Sequence, residues 1–533
     1  MPILIRLTVL LAALFFFVDV SVFARDVDSW PQGSGPSGSF RKSGSAPTEW
    51  SVALNRNIRW KRTLPETGQS TVTVWGNRLF FTTNKEVQQD SELGTDIVAW
   101  CCDFETGKVL WQRPIAAKHP LRLSGCFSDS TGPPAVTDGE RVCFFNASGR
   151  ISCFDFEGNP LWSNEIMAVG RSQPFLSNGS VVFIRQKYMP DGKGYFTHEH
   201  KNAPLEMWTQ LQALDMKTGE VTWTSRCGSN MGCIPVPHTL NDGRHVILVG
   251  RGGGHSPPEK PEGVSMIDAK DGSTIWTLPL PGFMSTMTLN IHDDSALIFH
   301  GGEHLWVDVA TGKVTRRVSF VEDVPVRIRK FDHYVTESRT TPAGKKKRMI
   351  IQQSNILVGD WHYFRHYTQP WLGRIHVPAG KVEYLQLPLQ VLREPGQPER
   401  LLWRTADIPK EWLPKRTGKN ANKPLPITQW AFHPNDMKNS RGFTVVGDQR
   451  SRGNGWGHHA GAVPTAIGEH LYLPVMSGTV YVLKWNAERL DENAVVSIND
   501  LGPVGTSWIR ASLSFAGGRI FAHTIRELIC IGN

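Results

Sequence analysis

AWCCDFETGKVLW, residues 99–111, recurs along the chain in progressively weaker copies. Its second half, DFETGKVLW (103–111), is matched by DFEGNPLW (155–162), DMKTGEVTW (215–223) and DAKDGSTIW (268–276). Each reads as an Asp, a short polar turn ending in Gly, an alternating strand and a Trp. DVATGKVTRR, from Asp308, is a fifth copy with Arg316 where Trp belongs. HVPAGKVEY, from His376, is a weaker sixth, with His for Asp and Tyr384 for Trp. The tryptophans Trp60, Trp111 and Trp162 are spaced 51 residues apart, and Trp223 and Trp276 follow after 61 and 53. Repeats of about 40–50 residues built from short strands predict a β-propeller, one four-stranded blade per repeat.

The template has a mechanical reading. The carboxylates of Asp103, Asp155, Asp215, Asp268 and Asp308 are placed to accept the amides of the turn that follows, and Gly supplies the positive φ that closes it. The returning strand delivers an indole to the neighbouring blade, and such a ring buries roughly 150–250 Å². Trp60, Trp111, Trp162, Trp223 and Trp276 are therefore predicted to be blade-docking wedges. Upstream of the templates lie further hairpins, among them TVTVWGNRLFFTT, PPAVTDGERVCFFN, QPFLSNGSVVFIR and SLSFAGGRIFAHT. Apolar runs bracketing Gly, Asp or Asn are hairpin signals. Counting them, with the distorted RMIIQQSNILVGDWHYF, gives eight blades. The last hairpin leads into ELICIGN, and no Trp strand follows it. NIRWKRTLP, near the N-terminus, is predicted to complete the final blade and close the ring, which removes exposed sheet edges. The fold class is thus all-β, an eight-bladed propeller whose last blade is shared by the two ends of the chain.

Composition agrees: the 533 residues include 50 Gly, 35 Pro, 19 Trp and 25 Phe. Arg6 followed by LTVLLAALFFFV and Val22-Phe23-Ala24 reads as a signal peptide over residues 1–24. Its apolar run is short for a membrane span. The expected organisation is this leader, an extended segment over 25–56 and one propeller over 57–533, interrupted by a long insertion at about 388–455. An extracytoplasmic product, periplasmic or secreted, follows, with no integral membrane segment after signal removal. The net charge is +9, and an exported chain with this charge favours protein or carbohydrate partners over nucleic acid. Eight cysteines lie beyond the leader without C-x-x-C spacing, which argues against structural zinc. Cys227 and Cys233 bracket a small loop and Cys143 and Cys153 flank a hairpin turn; disulfides and free buried thiols both suit them.

The motif, as it stands in AWCCDFETGKVLW, LQALDMKTGEVTW and VSMIDAKDGSTIW, resembles the tryptophan-docking repeat of the quinoprotein alcohol dehydrogenase-like superfamily. DSWPQGSGPSGSFRKSGSAPTEW and GDQRSRGNGWGHHAGAVPTAIGEHLYLPVMSGTVYVL look like secreted pyrroloquinoline-quinone (PQQ) repeat proteins of planctomycete type. For an enzyme, the resemblance implies a planar quinone on the ring axis above a Trp floor, a Ca²⁺ ion polarising it, and an Asp as general base. In methanol-oxidising members a vicinal cysteine pair covers the quinone. Cys101-Cys102 is such a pair, but it lies inside the strand before Asp103 and not in a loop after a docking Trp. No segment supplies a Ca²⁺ ligand set followed by a catalytic Asp.

The remaining chemistry gathers in the second half. Trp361, His362 and His366 lie in GDWHYFRHYTQPW, His433 in AFHPND, and Trp456 and His458 in GNGWGHHAG. Aromatic and imidazole groups on propeller loops predict a ligand surface suited to carbohydrate, since sugars stack on indole faces. No catalytic residue is assigned. The favoured function is a noncatalytic binding or scaffold module for protein or glycan, without cofactor, similar to the propeller scaffold of outer-membrane assembly machinery. The alternative is a PQQ- and Ca²⁺-dependent alcohol or sugar dehydrogenase with a diverged site.

Overall fold

The computed structural model describes residues 28–532, apart from 90–95, 120–128, 171–172, 188–203, 205–207, 230–232, 253–259, 284–287, 341–354, 367–368, 405–437 and 444–461. The leader lies outside the described residues. Eight sheets form the blades of a propeller, antiparallel through their four radial strands; in blade 6 Val324–Lys330 adds in parallel outside Lys381–Gln386 and pairs in turn with His333–Arg339. Blade 1 contains Thr73–Trp75, Arg78–Asn84, Ile97–Asp103 and Val109–Ile115, from the axis outward. Blades 2 to 7 follow in chain order, with innermost strands Val136–Thr137, Phe175–Ser177, Val236–Thr239, Asn290–His292, Asn355–Val358 and Thr465–Ile467. Blade 8 has Ser514–Ala516, Arg519–His523 and Glu527–Ile531, and its outermost strand is Ile58–Thr63, antiparallel to Glu527–Ile531. The N-terminal strand therefore closes the ring.

Burial follows position in the blade. Arg78–Asn84 and Ile97–Asp103 are buried on both faces between neighbouring blades, so they read as continuous apolar runs. Val109–Ile115 alternates, because one face packs and the other meets water. The Asp turns form as their chemistry dictates: Asp103 Oδ1 accepts Thr106 N at 2.8 Å, and Asp215 Oδ1 accepts both Lys217 N and Thr218 N at 2.8 Å. His376 stands in for Asp, accepting Ala379 N at 3.2 Å through Nδ1.

The indoles reach from blade to blade. Trp111 Nε1 donates to Phe156 O at 2.9 Å, Trp60 to Phe104 O at 3.2 Å, Trp162 to Met216 O at 3.1 Å and Trp276 to Val309 O at 2.7 Å. Each acceptor is the residue after the turn Asp of the next blade. The rings lie over the turn glycines: a Cβ on Gly158 (φ +82°) would fall 2.8 Å from the Trp111 ring, and one on Gly272 2.6 Å from Trp223. A side chain there would meet both a clash and left-handed strain.

Two copies depart from the pattern. Arg316 replaces the indole functionally, since its guanidinium donates to Pro378 O at 2.6 Å and Ala379 O at 2.7 Å in blade 6. Tyr384 does not occupy the wedge position that the sixth copy suggests. Blades 1 to 5 carry a bulge just before this point in the outermost strand, whereas blade 6 pairs without one. A missing bulge shifts the alternation by one residue, so every later side chain changes face. Tyr384 consequently points back to Phe320 O of blade 5. Glu383 takes the forward face beside Arg374, with Arg374 Nε donating to it at 2.8 Å. The fully buried Arg374 then spans to blade 7, donating to Ala487 O at 2.7 Å and Glu488 O at 3.1 Å.

Strand alternation puts the connections between first and second and between third and fourth strands on one face of the ring, and all others on the opposite face. The first set are tight turns, such as Trp75 to Arg78 and Asp103 to Val109. The long connections, over 186–210, 251–263, 319–355 and 386–465, all belong to the second set. The strand ends that these connections join thus all lie on one face. Within the last connection, Gln390–Leu392 and Arg400–Leu402 form a two-stranded ribbon.

Candidate axial binding site

The innermost strands surround a shaft, and residues 28–44 run inside it. Trp30 exchanges backbone hydrogen bonds of 2.9 Å with Val74 of blade 1. Pro31 O accepts Thr137 N of blade 2 at 2.9 Å, and Gln32 Oε1 accepts Leu176 N of blade 3 at 2.8 Å. Gly38 lies against Pro237 of blade 4. Arg41 and Lys42 pair in parallel with Ala466 and Ile467 of blade 7, and Lys42 Nζ reaches Phe515 O of blade 8 at 3.4 Å. The sequence SWPQGSGPSGSFRK explains how a chain fits so narrow a space. A Cβ at Gly33 would sit 2.4 Å from Pro134, so only glycine passes there. Trp30 and Phe40, both buried, anchor the two ends. This part of the segment expected over 25–56 therefore lies within the ring as an axial plug.

Beside the plug, toward blades 3 to 6, remains a cavity of about 460 Å³. The plug contributes Ser37, Ser39 and Arg41; the facing wall contributes His238, Thr239, Asn290 and Asn355. Leu176, Val236, Ile291 and Leu357 supply apolar surface. Asn178, Thr239 and His245 are exposed at the tight turns, so the mouth opens on that face.

Behind Asn290 and Asn355 lies a buried polar network. Asn290 Nδ2 donates to Asn355 Oδ1 at 2.8 Å, His362 Nε2 lies 3.1 Å from Asn355 Oδ1, and His362 Nδ1 lies 2.8 Å from His304 Nε2. Burial pushes His362 down to about 3, and burial with the neighbouring His362 drives His304 down as well. Both rings are neutral at ordinary pH. Their role is to fix the cavity's back wall.

The residues expected to form a ligand surface are not brought together as one. His362 and His366 are completely buried. Trp361 is partly buried at the blade 6–7 seam, where the Arg374 guanidinium stacks 3.6 Å from its ring centroid. Strand alternation accounts for this, since Trp361–Arg365 is the second strand of a blade and is covered by its neighbours. His433, Trp456 and His458 lie outside the described residues. The cavity residues were missed because serine, threonine and asparagine carry no motif. The available signal was the Gly- and Ser-rich run over 33–45 between Trp30 and Trp50, too flexible for a strand yet flanked by large anchors.

Among the described cysteines, Cys101, Cys102, Cys143, Cys153, Cys233 and Cys530 are free thiols, and these and Cys227 are all buried. Cys101 and Cys102 sit in the third strand of blade 1, away from the axis, and burial pushes their thiols up to about 11 and about 12. Cys143 and Cys153 face each other in register across blade 2 as thiols. Cys233 Sγ accepts Gly250 N at 3.0 Å.

A family model described as outer membrane protein assembly factor BamB matches residues 93–225 and 205–323. Over residues 93–323 the chain is similar to that family, and the whole is an eight-bladed β-propeller. No protein of curated function matches this propeller. Among solved structures it is similar to the quinohemoprotein alcohol dehydrogenase from Comamonas testosteroni, at 11% identity and a TM-score of 0.52, over 94% of this chain and 80% of that one. It is also similar to a europium-containing methanol dehydrogenase, at 10% identity and a TM-score of 0.50, over 95% and 98% of the two chains. BamB from Moraxella catarrhalis aligns at 11% identity over 89% of this chain and 96% of that one, with a TM-score of 0.44. At these identities the likeness to solved structures is one of fold.

A quinone with its Ca²⁺ needs open space on the axis and hard oxygen ligands, carboxylates foremost. Here the plug occupies part of the shaft, and the described residues lining the remaining cavity include no Asp or Glu. Among the described residues no group of three or more His, Cys, Asp or Glu is arranged to hold a metal ion. The described residues of this propeller do not fit a calcium-bound quinone on the axis.

Proposed function

We propose that this propeller is an exported, noncatalytic binding module for protein or glycan. The observation carrying the reading is the plug. Residues 28–44 pair with several blades at once and fill space that an axial cofactor would need. What remains is a cavity of mixed polar and apolar lining, with no carboxylate among its described residues, opening on a face of tight turns. Rigid rims of this kind suit recognition of a ligand held by hydrogen bonds.

The competing reading, a PQQ- and Ca²⁺-dependent alcohol or sugar dehydrogenase, is separated by one measurement. Mature protein is incubated with Ca²⁺ and pyrroloquinoline quinone, then assayed for bound cofactor absorbance and dye reduction with alcohols and aldoses. The expected result is neither stoichiometric quinone uptake nor turnover. Uptake accompanied by dye reduction overturns the binding-module reading.

Export is supported by Arg6, the apolar run over 7–18 and the Val22-Phe23-Ala24 pattern. No helix among the described residues is long and apolar enough to cross a membrane. Intact mass of the protein recovered from a secreting host should correspond to a chain beginning at or near Arg25. A product that keeps residues 1–24 contradicts removal of the leader.

A further inference from the structure

The plug brings an arginine to the cavity with no acid beside it among the described residues. Ser37, Ser39 and Arg41 line the cavity together with Gly38 and Phe40 between them. They are linked to one another, with the Ser37 and Ser39 hydroxyls 2.6 Å apart and Arg41 Nε donating to Ser39 Oγ at 3.3 Å. Neighbouring Lys42 is ion-paired with Asp28. Arg41 is half-buried, and no described Asp or Glu pairs with its guanidinium. Three carboxylates stand beside the innermost strand of blade 5: Asp360 lies 2.9 Å from His292 Nε2, Asp293 lies 3.3 Å from His292 Nδ1, and Asp294 accepts Asn241 Nδ2 at 2.7 Å and also acts electrostatically on His238 of the wall.

A guanidinium partly withdrawn from water without a counter-ion carries an uncompensated desolvation cost. An oxyanion in the cavity offsets it, and the planar fork suits two parallel hydrogen bonds to one carboxylate. The facing wall is neutral and mixed: the imidazole of His238, the hydroxyl of Thr239, and the amides of Asn290 and Asn355, with Val236, Ile291 and Leu357 between them. Amides and hydroxyls interleaved with apolar patches match a ring that carries hydroxyls on its edge and C–H groups on its faces. At about 460 Å³ the space falls within the usual range for a small-molecule site, roughly 300–1,000 Å³.

The geometry points to a binding site for an acidic monosaccharide unit, its carboxylate held by Arg41 and its hydroxyls by the wall of blades 4 to 6. This rests on the binding-module reading and narrows it to a ligand class. The mouth lies among the exposed tight turns of Asn178, Thr239 and His245, so a free sugar acid and the terminal residue of an acidic polysaccharide are both candidates.

Isothermal titration calorimetry of the full mature chain tests it with D-glucuronate, D-glucose, sodium sulfate and a glucuronate-terminated oligosaccharide. Glucuronate is expected to bind at least tenfold more tightly than glucose or sulfate. Arg41→Gln should weaken glucuronate at least tenfold and leave glucose unchanged, while Arg41→Lys restores part of the loss. Thr239→Trp, at the exposed mouth, should abolish binding of both sugars. Oligosaccharide binding equal to or tighter than the monomer assigns the source to polysaccharide ends, and its exclusion assigns it to free sugar acids; both support the site. Equal glucuronate affinity in wild type and Arg41→Gln overturns the inference, as does the absence of binding by every probe. The binding-module reading fails separately, through quinone uptake with turnover. A urea midpoint for Arg41→Gln equal to that of wild type shows that any loss of binding is local.

Discussion

Lowering the pH from 7 to 5 is expected to remove on the order of 6 kcal/mol of folding stability through three buried histidines. His362, His366 and His523 are inaccessible to solvent. Burial depresses the first two to about 3; it takes His523 to about 4 even though the Ser70 carbonyl, 2.9 Å from Nδ1, opposes the shift. A histidine whose folded value lies below its unfolded value, near 6.5, stays neutral in the fold while the unfolded chain takes up a proton. The stability it contributes is complete above about pH 6.5 and is lost as the pH falls toward the folded value. At pH 5 each group has lost about 2 kcal/mol. His304 is driven the same way and adds to the total. Domains of ordinary stability have only about 5–15 kcal/mol to lose, so the propeller should approach its unfolding midpoint near pH 5. Urea titrations at pH 7, 6 and 5 check this, with His523→Gln reducing the slope by about one proton. Equal urea midpoints at pH 7 and pH 5 would show that these rings protonate without cost.

Trp30→Ala should cost about 3–5 kcal/mol, the usual range for emptying a fully buried indole site. Trp30 is completely buried, and its ring packs 5.6 Å from Phe515 and over Gly35. Its backbone is paired with Val74. The residue thus bridges blade 8 and blade 1 at the seam where the ring closes. Alanine keeps the backbone pairing and leaves a void that the rigid inner strands cannot collapse into, so the plug loosens while the blades persist. Urea unfolding gives the cost, and limited proteolysis should show faster cleavage within residues 28–44 than in wild type. A loss below about 1 kcal/mol, with unchanged proteolysis, would mean that the plug is held by its backbone alone.

The local signals in the chain were strong where one residue type does one job. Asp followed by a Gly turn located the third and fourth strands of blades 1 to 5, and NIRWKRTLP was legible as the missing strand because ELICIGN lacked a partner. Tyr384 shows where such reading stops. Its place in HVPAGKVEY aligns with the wedge, yet an unbulged strand turns it to the other face. A bulge is a property of pairing between two strands, and the template spans only one side of that pairing. His362 and His366 misled for a related reason. Histidine in an apolar strand reads equally as ligand or as buried filler, and only the neighbouring blade, distant in sequence, covers it.

The amino-acid order alone determined that this is an eight-bladed ring closed by its own N-terminal strand. Blade formation depends on turn chemistry and alternation within about fifty residues, and those are written locally. The plug, the cavity beside it and the placement of Arg41 were decided only by tertiary structure. They arise where residues 28–44 meet strands from blades 1 to 4, 7 and 8. A glycine- and serine-rich segment has no conformational preference strong enough to announce its path, so the shape of the shaft selects it.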